Sequence, residues 1–411
     1  MFNTLEKAIQ WLEIQTKFKQ KSDLDRMKKA YSMLNIDLSA MKKIHVAGTN
    51  GKGSVASYLT HILMEEHLKV GTFTSPYLVR FNERMKINMK DIPDHDLLPL
   101  TNEIYDFNRM FEESYGDSLT FFELLTLMAL IYFKRQNVEV IVMEVGLGGL
   151  LDATNVIYYD VSLITSIGFD HMKQLGNTLE SIAYNKLGIL KPHNHLITTV
   201  DPSLKPLFES YVKNIQGTMT HIDIADATIK QDNPLIFNYK NIDYQLSLKG
   251  SYQVLNALLS IEAIKYVFPS ISEENIVKGL KKTLWSGRLE EIDYQIFLDG
   301  AHNTHAIEAL KETVSKTFKG YDIWILFSAL GDKDIKGMLD ICQSFAKRVV
   351  LTSFPDPRFD LSQLSHEFPY IENPMNAIEK LKKEMPHNVI LIITGSLHFV
   401  GYIKKMYYRT C

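Results

Sequence analysis

Lys43-Ile44-His45-Val46-Ala47-Gly48-Thr49-Asn50-Gly51-Lys52-Gly53-Ser54 joins a short apolar strand to a glycine-rich turn carrying one lysine and one hydroxyl. Glycines at 48, 51 and 53 let the backbone take positive φ and approach an anion closely, so that successive N–H groups form a nest. Lys52 adds a point charge, and Ser54 offers a hydroxyl to a phosphate-bound magnesium ion. Val55, Leu59, Ile62 and Leu63 continue as a helix over about 53–66, whose positive end would face a triphosphate. The spacing is not the common Walker form, because two residues separate Gly48 from Gly51 and a glycine intervenes between Lys52 and Ser54. A ligand-free strand-to-helix turn is the plainer alternative, but it leaves the placement of lysine and serine without a reason.

Outward from this turn, strand and helix patterns alternate. Val70–Phe73 reads as a strand and 121–135 as a helix. Val138–Val145 and Val161–Ile167 are near-continuous β-branched runs of the kind found in buried parallel strands. The stretch 217–249 changes character, with short alternating segments such as Tyr244–Leu248 that predict a small antiparallel edge sheet. Helices over about 253–267 and 273–283 follow. A second alternation then begins, with strands at Ile292–Leu298, Tyr321–Phe327, Arg348–Thr352 and Val389–Thr394 between helices around 303–317, 335–346 and 375–384. The expected fold class is α/β with two doubly wound domains: an N-terminal P-loop ATPase-like domain over 1–284 and a smaller Rossmann-like domain over 285–411. Two such domains facing one another across a cleft would suit a two-substrate enzyme.

The 411 residues carry a net charge of −3, without the basic excess of a general nucleic-acid or membrane-surface binder. Cys342 and Cys411 are the only cysteines, too few for a disulfide framework or a Cys-rich zinc site. The opening segment around Leu5, Ile9, Trp11 and Leu12 reads as an amphipathic helix rather than a signal peptide, and no apolar run approaches membrane-spanning length. A cytoplasmic protein is expected.

Glu144 ends one strand ahead of Gly146-Leu147-Gly148-Gly149, and Asp170-His171 follows the next strand, so both would reach the carboxyl edge of a parallel sheet, where ligands bind. A lone strand-end histidine is usually structural. Two strands presenting Glu and His near a P-loop serine favour a metal site, although magnesium prefers oxygen to imidazole. Lys186, on a helix with apolar neighbours, reads from its own segment as a snorkelling surface lysine.

Taken together, these segments resemble the Mur ligase superfamily and, within it, the folylpolyglutamate synthases, including bifunctional dihydrofolate synthase members. The matching blocks run from Val46–Ser54 through Thr74–Leu78 with Asn82-Glu83-Arg84, Thr120–Glu123, Glu144–Asn155, Ser166–His171 with Lys186–Ile189, and Trp285–Arg288 with Asp299–Asn303. The resemblance implies an ATP-dependent ligase that activates a folate or dihydropteroate carboxylate as an acyl phosphate and joins it to L-glutamate. It implies ATP contacts from Thr49, Asn50, Gly51, Lys52, Gly53, Ser54, Asn256, Arg288 and Asp299. Mg2+ would be arranged by Ser54, Ser75, Glu144 and His171. Lys186 would be carbamylated and catalytic beside Lys52 and His171, which reverses the snorkelling interpretation. Thr120, Phe121, Phe122, Glu123, Leu151, Asp152 and Ala153 would face the pterin, and His302 and Ser396 the incoming glutamate. Small molecules are the expected partners, with no nucleic acid, no membrane and a monomeric state.

Four positions depart from the family pattern: Leu150 for arginine, Tyr77 for histidine, Asn185 for glutamate and Tyr252 for histidine. They motivate one alternative, a nucleotide-binding regulator without catalysis, which intact Lys52, Glu144, His171 and Lys186 oppose. A muramyl-peptide ligase is the other, opposed by the short stretch ahead of the P-loop, which leaves no room for a separate UDP-sugar domain.

Overall fold

The computed structural model describes residues 1–17, 19, 23–331, 333–359 and 367–410. The chain forms two compact units, Met1–Asp226 with Leu255–Lys282, and Ala227–Val254 with Thr283–Cys411.

The first unit is built on an eight-stranded sheet whose centre is the P-loop strand Lys42–Ala47. That strand pairs in parallel with Val140–Glu144 on one side and Val161–Ile164 on the other. Val70–Phe73 extends the sheet beyond Val140–Glu144, and His195–Thr198 extends it beyond Val161–Ile164, again in parallel. Parallel pairing brings the carboxyl ends of the three central strands to one edge, so the turns after Ala47, Glu144 and Ile164 are neighbours. All five residues of Val140–Glu144 are buried, as the apolar run requires. The helix Phe121–Arg135 begins with a capping box in which Thr120 and Glu123 satisfy each other's backbone N–H groups. The long helix Asp94–Tyr115, which sequence periodicity did not suggest, packs Leu97, Leu100, Ile104 and Phe111 into the same core.

In the second unit a six-stranded sheet runs Glu290–Asp293, Ile296–Leu298, Val389–Thr394, Asp322–Phe327, Arg348–Thr352 and Tyr370–Ile371. All of it is parallel except the first strand. The expected single strand Ile292–Leu298 is therefore a hairpin, folded where Gln295 takes a φ of +61°. The predicted edge sheet also differs. Ala227–Asp232, Leu235–Tyr239 and Ile242–Leu246 pair with one another as a separate antiparallel sheet that groups with the second unit. Its centre strand alternates buried and half-buried residues, as a one-faced sheet does.

Candidate active site

The P-loop turn is tied down from the neighbouring strand end. Thr49 N–H donates to the Ser166 carbonyl at 2.7 Å, and the Thr165 hydroxyl donates to the Asn50 carbonyl at 2.6 Å. The Gly168 N–H reaches the Thr49 hydroxyl at 3.0 Å. Gly48, at φ +142°, has no room for a Cβ, which would fall on the Thr165 hydroxyl. Gly51, at φ +90°, caps the helix Lys52–Glu65, and a Cβ there would lie 2.5 Å from Asn256 Oδ1. Asn256 thus sits against the turn it was expected to serve. Ser54 is buried in the first turn of that helix.

Two lysines converge on this loop. Lys52 Nζ donates to the Gly48 and Thr49 carbonyls at 3.1 and 3.2 Å, and Lys186 Nζ donates to the same Gly48 carbonyl at 2.8 Å. Lys186 is only 5% exposed, so the snorkelling interpretation fails. Burial above all, and then the Lys52 charge, bring its pKa down to about 7, against the pull of Asp170 and Asp152. It is therefore poised between cation and nucleophilic amine.

Glu144 is buried at its strand end and accepts the Ser75 N–H on Oε2 at 3.1 Å. The glycine-rich turn beyond it is compressed. Gly146 faces the Phe122 ring, and Gly149 lies against the carbonyls of Asn185 and Lys186, where side chains would collide. Asp152 organises this turn: Oδ2 accepts the Gly146 and Leu147 N–H groups at 3.1 and 2.9 Å, and Oδ1 accepts the Thr154 N–H and hydroxyl at 3.0 and 2.5 Å. Ala153 is buried in the core, while Leu151 is half-buried.

Behind the loop stands a group that sequence reading missed. His45, fully buried in the P-loop strand, contacts the Thr154 hydroxyl through Nε2 at 2.8 Å and stacks on Tyr159 with ring centroids 4.0 Å apart. Because the single hydroxyl proton of Thr154 goes to Asp152, His45 Nε2 carries the donated proton and Nδ1 is bare. Burial, with Lys191 nearby, pushes the His45 pKa down to about 3. Inside a strand the residue gives no sequence signal beyond an interrupted apolar run.

Thr120 and Glu123 are engaged within the fold. The Glu123 carboxylate caps its helix and pairs with Arg26, whose Nε and Nη2 donate at 3.0 and 3.1 Å. Phe121 and Phe122 are half-buried against the core. His171 follows the strand Val161–Ile164 in a left-handed conformation, φ +51°, and is largely exposed beside Asp170. Among the described residues no group of three or more His, Cys, Asp or Glu side chains is placed to hold a metal ion.

In the second unit Asp299 is buried at the end of the strand Ile296–Leu298, where its oxygens accept the Leu289 and Ala301 N–H groups at 3.0 and 2.9 Å. Burial raises its pKa, opposed by Arg288 and these two donors. Gly300 packs against the Arg288 guanidinium, and His302 Nδ1 contacts the Gly300 carbonyl at 2.8 Å. Asn303 caps the helix Thr304–Thr317. Ser396, buried after the strand Val389–Thr394, accepts the His398 N–H at 3.2 Å. The structure thus brings Arg288, from the segment ahead of Glu290–Asp293, against the Asp299–His302 turn.

A P-loop of this spacing at the edge of a mixed sheet, followed by a second α/β unit, defines a Mur ligase. Residues 46–264 match the Mur ligase middle domain, and residues 287–397 the Mur ligase glutamate ligase domain. The chain is 34% identical to the dihydrofolate synthase/folylpolyglutamate synthase of Bacillus subtilis, over 98% of this chain and 99% of that one. It belongs to the dihydrofolate synthase/folylpolyglutamate synthase family. Among solved structures, Mycobacterium tuberculosis folylpolyglutamate synthase complexed with ADP superposes with a TM-score of 0.90 at 26% identity, covering 98% of both chains. Escherichia coli FolC in complex with DHPP and ADP superposes with a TM-score of 0.89, also at 26% identity, covering 99% of this chain and 98% of that one.

Proposed function

We propose that this protein is an ATP-dependent ligase that joins L-glutamate to the γ-carboxylate of tetrahydrofolate. The observation that carries the reading is the pair of lysines on the Gly48 carbonyl, at the sheet edge that also presents Glu144, in a chain of this family. An oxygen of the acceptor carboxylate attacks the γ-phosphorus of ATP, ADP leaves, and an acyl phosphate forms. The glutamate amino nitrogen then attacks the acyl carbon. A proton is lost from that nitrogen, and phosphate departs with the former carboxylate oxygen.

Within this chain, Thr49–Ser54 and Asn256 would cradle the phosphates, with Lys52 neutralising charge on the transferring oxygens. Arg288 and Asp299 would meet the nucleotide, and His302 and Ser396 the glutamate. Phe121 and Phe122 would offer a flat face to the pterin, held by the Thr120–Glu123 cap and by the turn that Leu151, Asp152 and Ala153 complete. The hydroxyls of Ser54 and Ser75 and the Glu144 carboxylate are hard oxygen donors that suit Mg2+, and His171 would complete that set only as a less suitable nitrogen ligand. When bound, the ion neutralises charge on the phosphate oxygens. Lys186 would react as the neutral amine with carbon dioxide, losing a proton to become a carbamate, and so would replace a repelling cation with a carboxylate-like anion.

The name of the Bacillus subtilis relative joins two activities and favours dihydropteroate as a second acceptor. No helix among the described residues is long and apolar enough to cross a membrane, and we read the working species as a cytoplasmic monomer. The test incubates the purified protein with ATP, magnesium and glutamate, offering tetrahydrofolate, dihydropteroate or a UDP-muramyl peptide, and follows product mass and ADP. A tetrahydrofolate product heavier by one glutamyl group supports the reading. Ligation of the muramyl peptide alone, or of none of the three, overturns it.

A further inference from the structure

The helix Leu397–Thr410 backs the turn that carries Arg288. Its first residue packs on Gly300, where an added Cβ would collide with the Leu397 side chain. Two helical turns further on, Lys404 Nζ donates to the Ser286 hydroxyl at 2.8 Å and to Glu290 Oε1 at 2.5 Å. Residues 397 and 404 are seven apart and so share one face of the helix. Glu290 passes the tie on: Oε2 accepts the Gly287 N–H at 2.8 Å, and the Gly287 carbonyl accepts the Gly300 N–H, also at 2.8 Å. Leu397 and Lys404 therefore support the two segments that Asp299 joins by accepting the Leu289 N–H at 3.0 Å.

The turn needs such ties. Gly287 sits at φ +73° and Leu289 at φ +44°, so a residue with a bulky side chain is held in the left-handed region, which persists only where the surroundings enforce it. Three side chains do so: Glu290 on the Gly287 N–H, Asp299 on the Leu289 N–H, and Lys404 on Ser286 and Glu290. The side chains of Lys404 and Glu290 are only 16% and 23% exposed, so their pairing is screened less than that of a fully solvated ion pair. Arg288 lies between the two left-handed residues, and its Nη1 reaches back to the Gly287 carbonyl at 3.4 Å. The direction of that guanidinium is thus set by the turn, and the turn is set by the helix behind it. A small displacement there would misplace the charge offered to a phosphate.

We propose that Lys404 is a positioning residue of the nucleotide site, fixing the 286–289 turn through Ser286 and Glu290 so that Arg288 meets ATP. The proposal rests on the reading of Arg288 as a nucleotide contact. It makes the helix Leu397–Thr410 part of the ATP-binding machinery, although Lys404 acts only through the residues it holds.

The test measures equilibrium binding of ADP to the whole chain, with magnesium present, in wild type, Lys404→Met, Lys404→Arg, Arg288→Ala and the variant combining Lys404→Met with Arg288→Ala. Tyr407→Phe is the control, because Tyr407 ties the same helix to Asp293 at the far end of the strand Glu290–Asp293. Lys404→Met should weaken ADP by about tenfold, Lys404→Arg by no more than about threefold, and Arg288→Ala by at least as much as Lys404→Met. In the Arg288→Ala background, Lys404→Met should change ADP affinity by less than about twofold, because both act through one guanidinium. Tyr407→Phe should stay within about twofold of wild type. A Lys404→Met effect that is absent, that is matched by Tyr407→Phe, or that persists undiminished beside Arg288→Ala overturns the proposal. If Lys404→Met does not fold, Glu290→Gln decides by the same cycle, since it keeps an acceptor for Gly287 and removes the charge paired with Lys404. Normal ADP binding in Arg288→Ala is a separate result, which overturns the nucleotide reading of Arg288 and the proposal with it.

Discussion

Lys52 and Lys186, remote in sequence, place their ammonium groups on one oxygen, the Gly48 carbonyl, at 3.1 and 2.8 Å. Two ammonium groups on one acceptor, one of them buried, form a locally unfavourable arrangement that the proposed carbamylation of Lys186 would relieve.

That arrangement makes a stability prediction. The folded pKa of Lys186, about 7, lies below its ordinary value of 10.5, so the unfolded chain binds the extra proton between those limits and the burden on the fold shrinks as pH rises through them. At pH 7 without bicarbonate, Lys186→Met should therefore unfold later than wild type, by about 1–3 kcal/mol. The gap should narrow towards pH 10 and with added bicarbonate. Ligase activity of Lys186→Ala should fall by about a hundredfold and recover in part with formate or acetate, as expected for loss of a carboxylate-like group. Thermal melts across pH and initial rates with added acid check both halves. A pH-independent gap, or undiminished activity, contradicts them.

Gly48 tests the P-loop geometry itself. With φ +142° and the Thr165 hydroxyl occupying the Cβ position, Gly48→Ala must move the turn or the neighbouring strand end. Destabilisation of about 2 kcal/mol or more is expected, with ATP turnover lost. Near-normal ATP turnover in Gly48→Ala would show that the turn is not held as described.

The His45–Thr154–Asp152 chain is expected to act through acid stability and loop order. The folded His45 pKa of about 3 lies below the usual 6.5, so stability is lost as pH falls through that interval, by up to about 1.4 kcal/mol per unit. His45→Gln keeps a donor towards Thr154 and lacks this titration, so its stability relative to wild type should improve steadily below pH 6.5. Thr154→Val breaks the chain at its middle and should cost about 2 kcal/mol while raising the KM for the acceptor, since Asp152 holds the Gly146–Leu147 turn. Denaturant melts at several pH values measure the first effect and steady-state kinetics the second.

The P-loop, Glu144 and the alternation of strands and helices are legible because each is local: a glycine pattern, an apolar run, a carboxylate at its end. Lys186 is not legible from its own segment, because its helix reads as amphipathic and only the packing of that helix under Gly48 buries the ammonium group. His45 is hidden for the same reason, its partner Thr154 lying far along the chain. The hairpin at Gln295 is hidden differently, since one residue at positive φ reverses a run whose composition is that of a single strand. The small antiparallel sheet is visible as alternating strands, but its grouping with the second unit is a tertiary fact.

Activation of the pterin γ-carboxylate by ATP leaves a mark that heavy oxygen reads. During turnover of γ-carboxylate-labelled tetrahydrofolate with ATP, magnesium and glutamate, one labelled oxygen should appear in inorganic phosphate for each tetrahydrofolate that receives its first glutamyl group, with one ADP formed per glutamyl group added. Wholly unlabelled phosphate, or ATP turnover without a heavier pterin product, would rule that activation out.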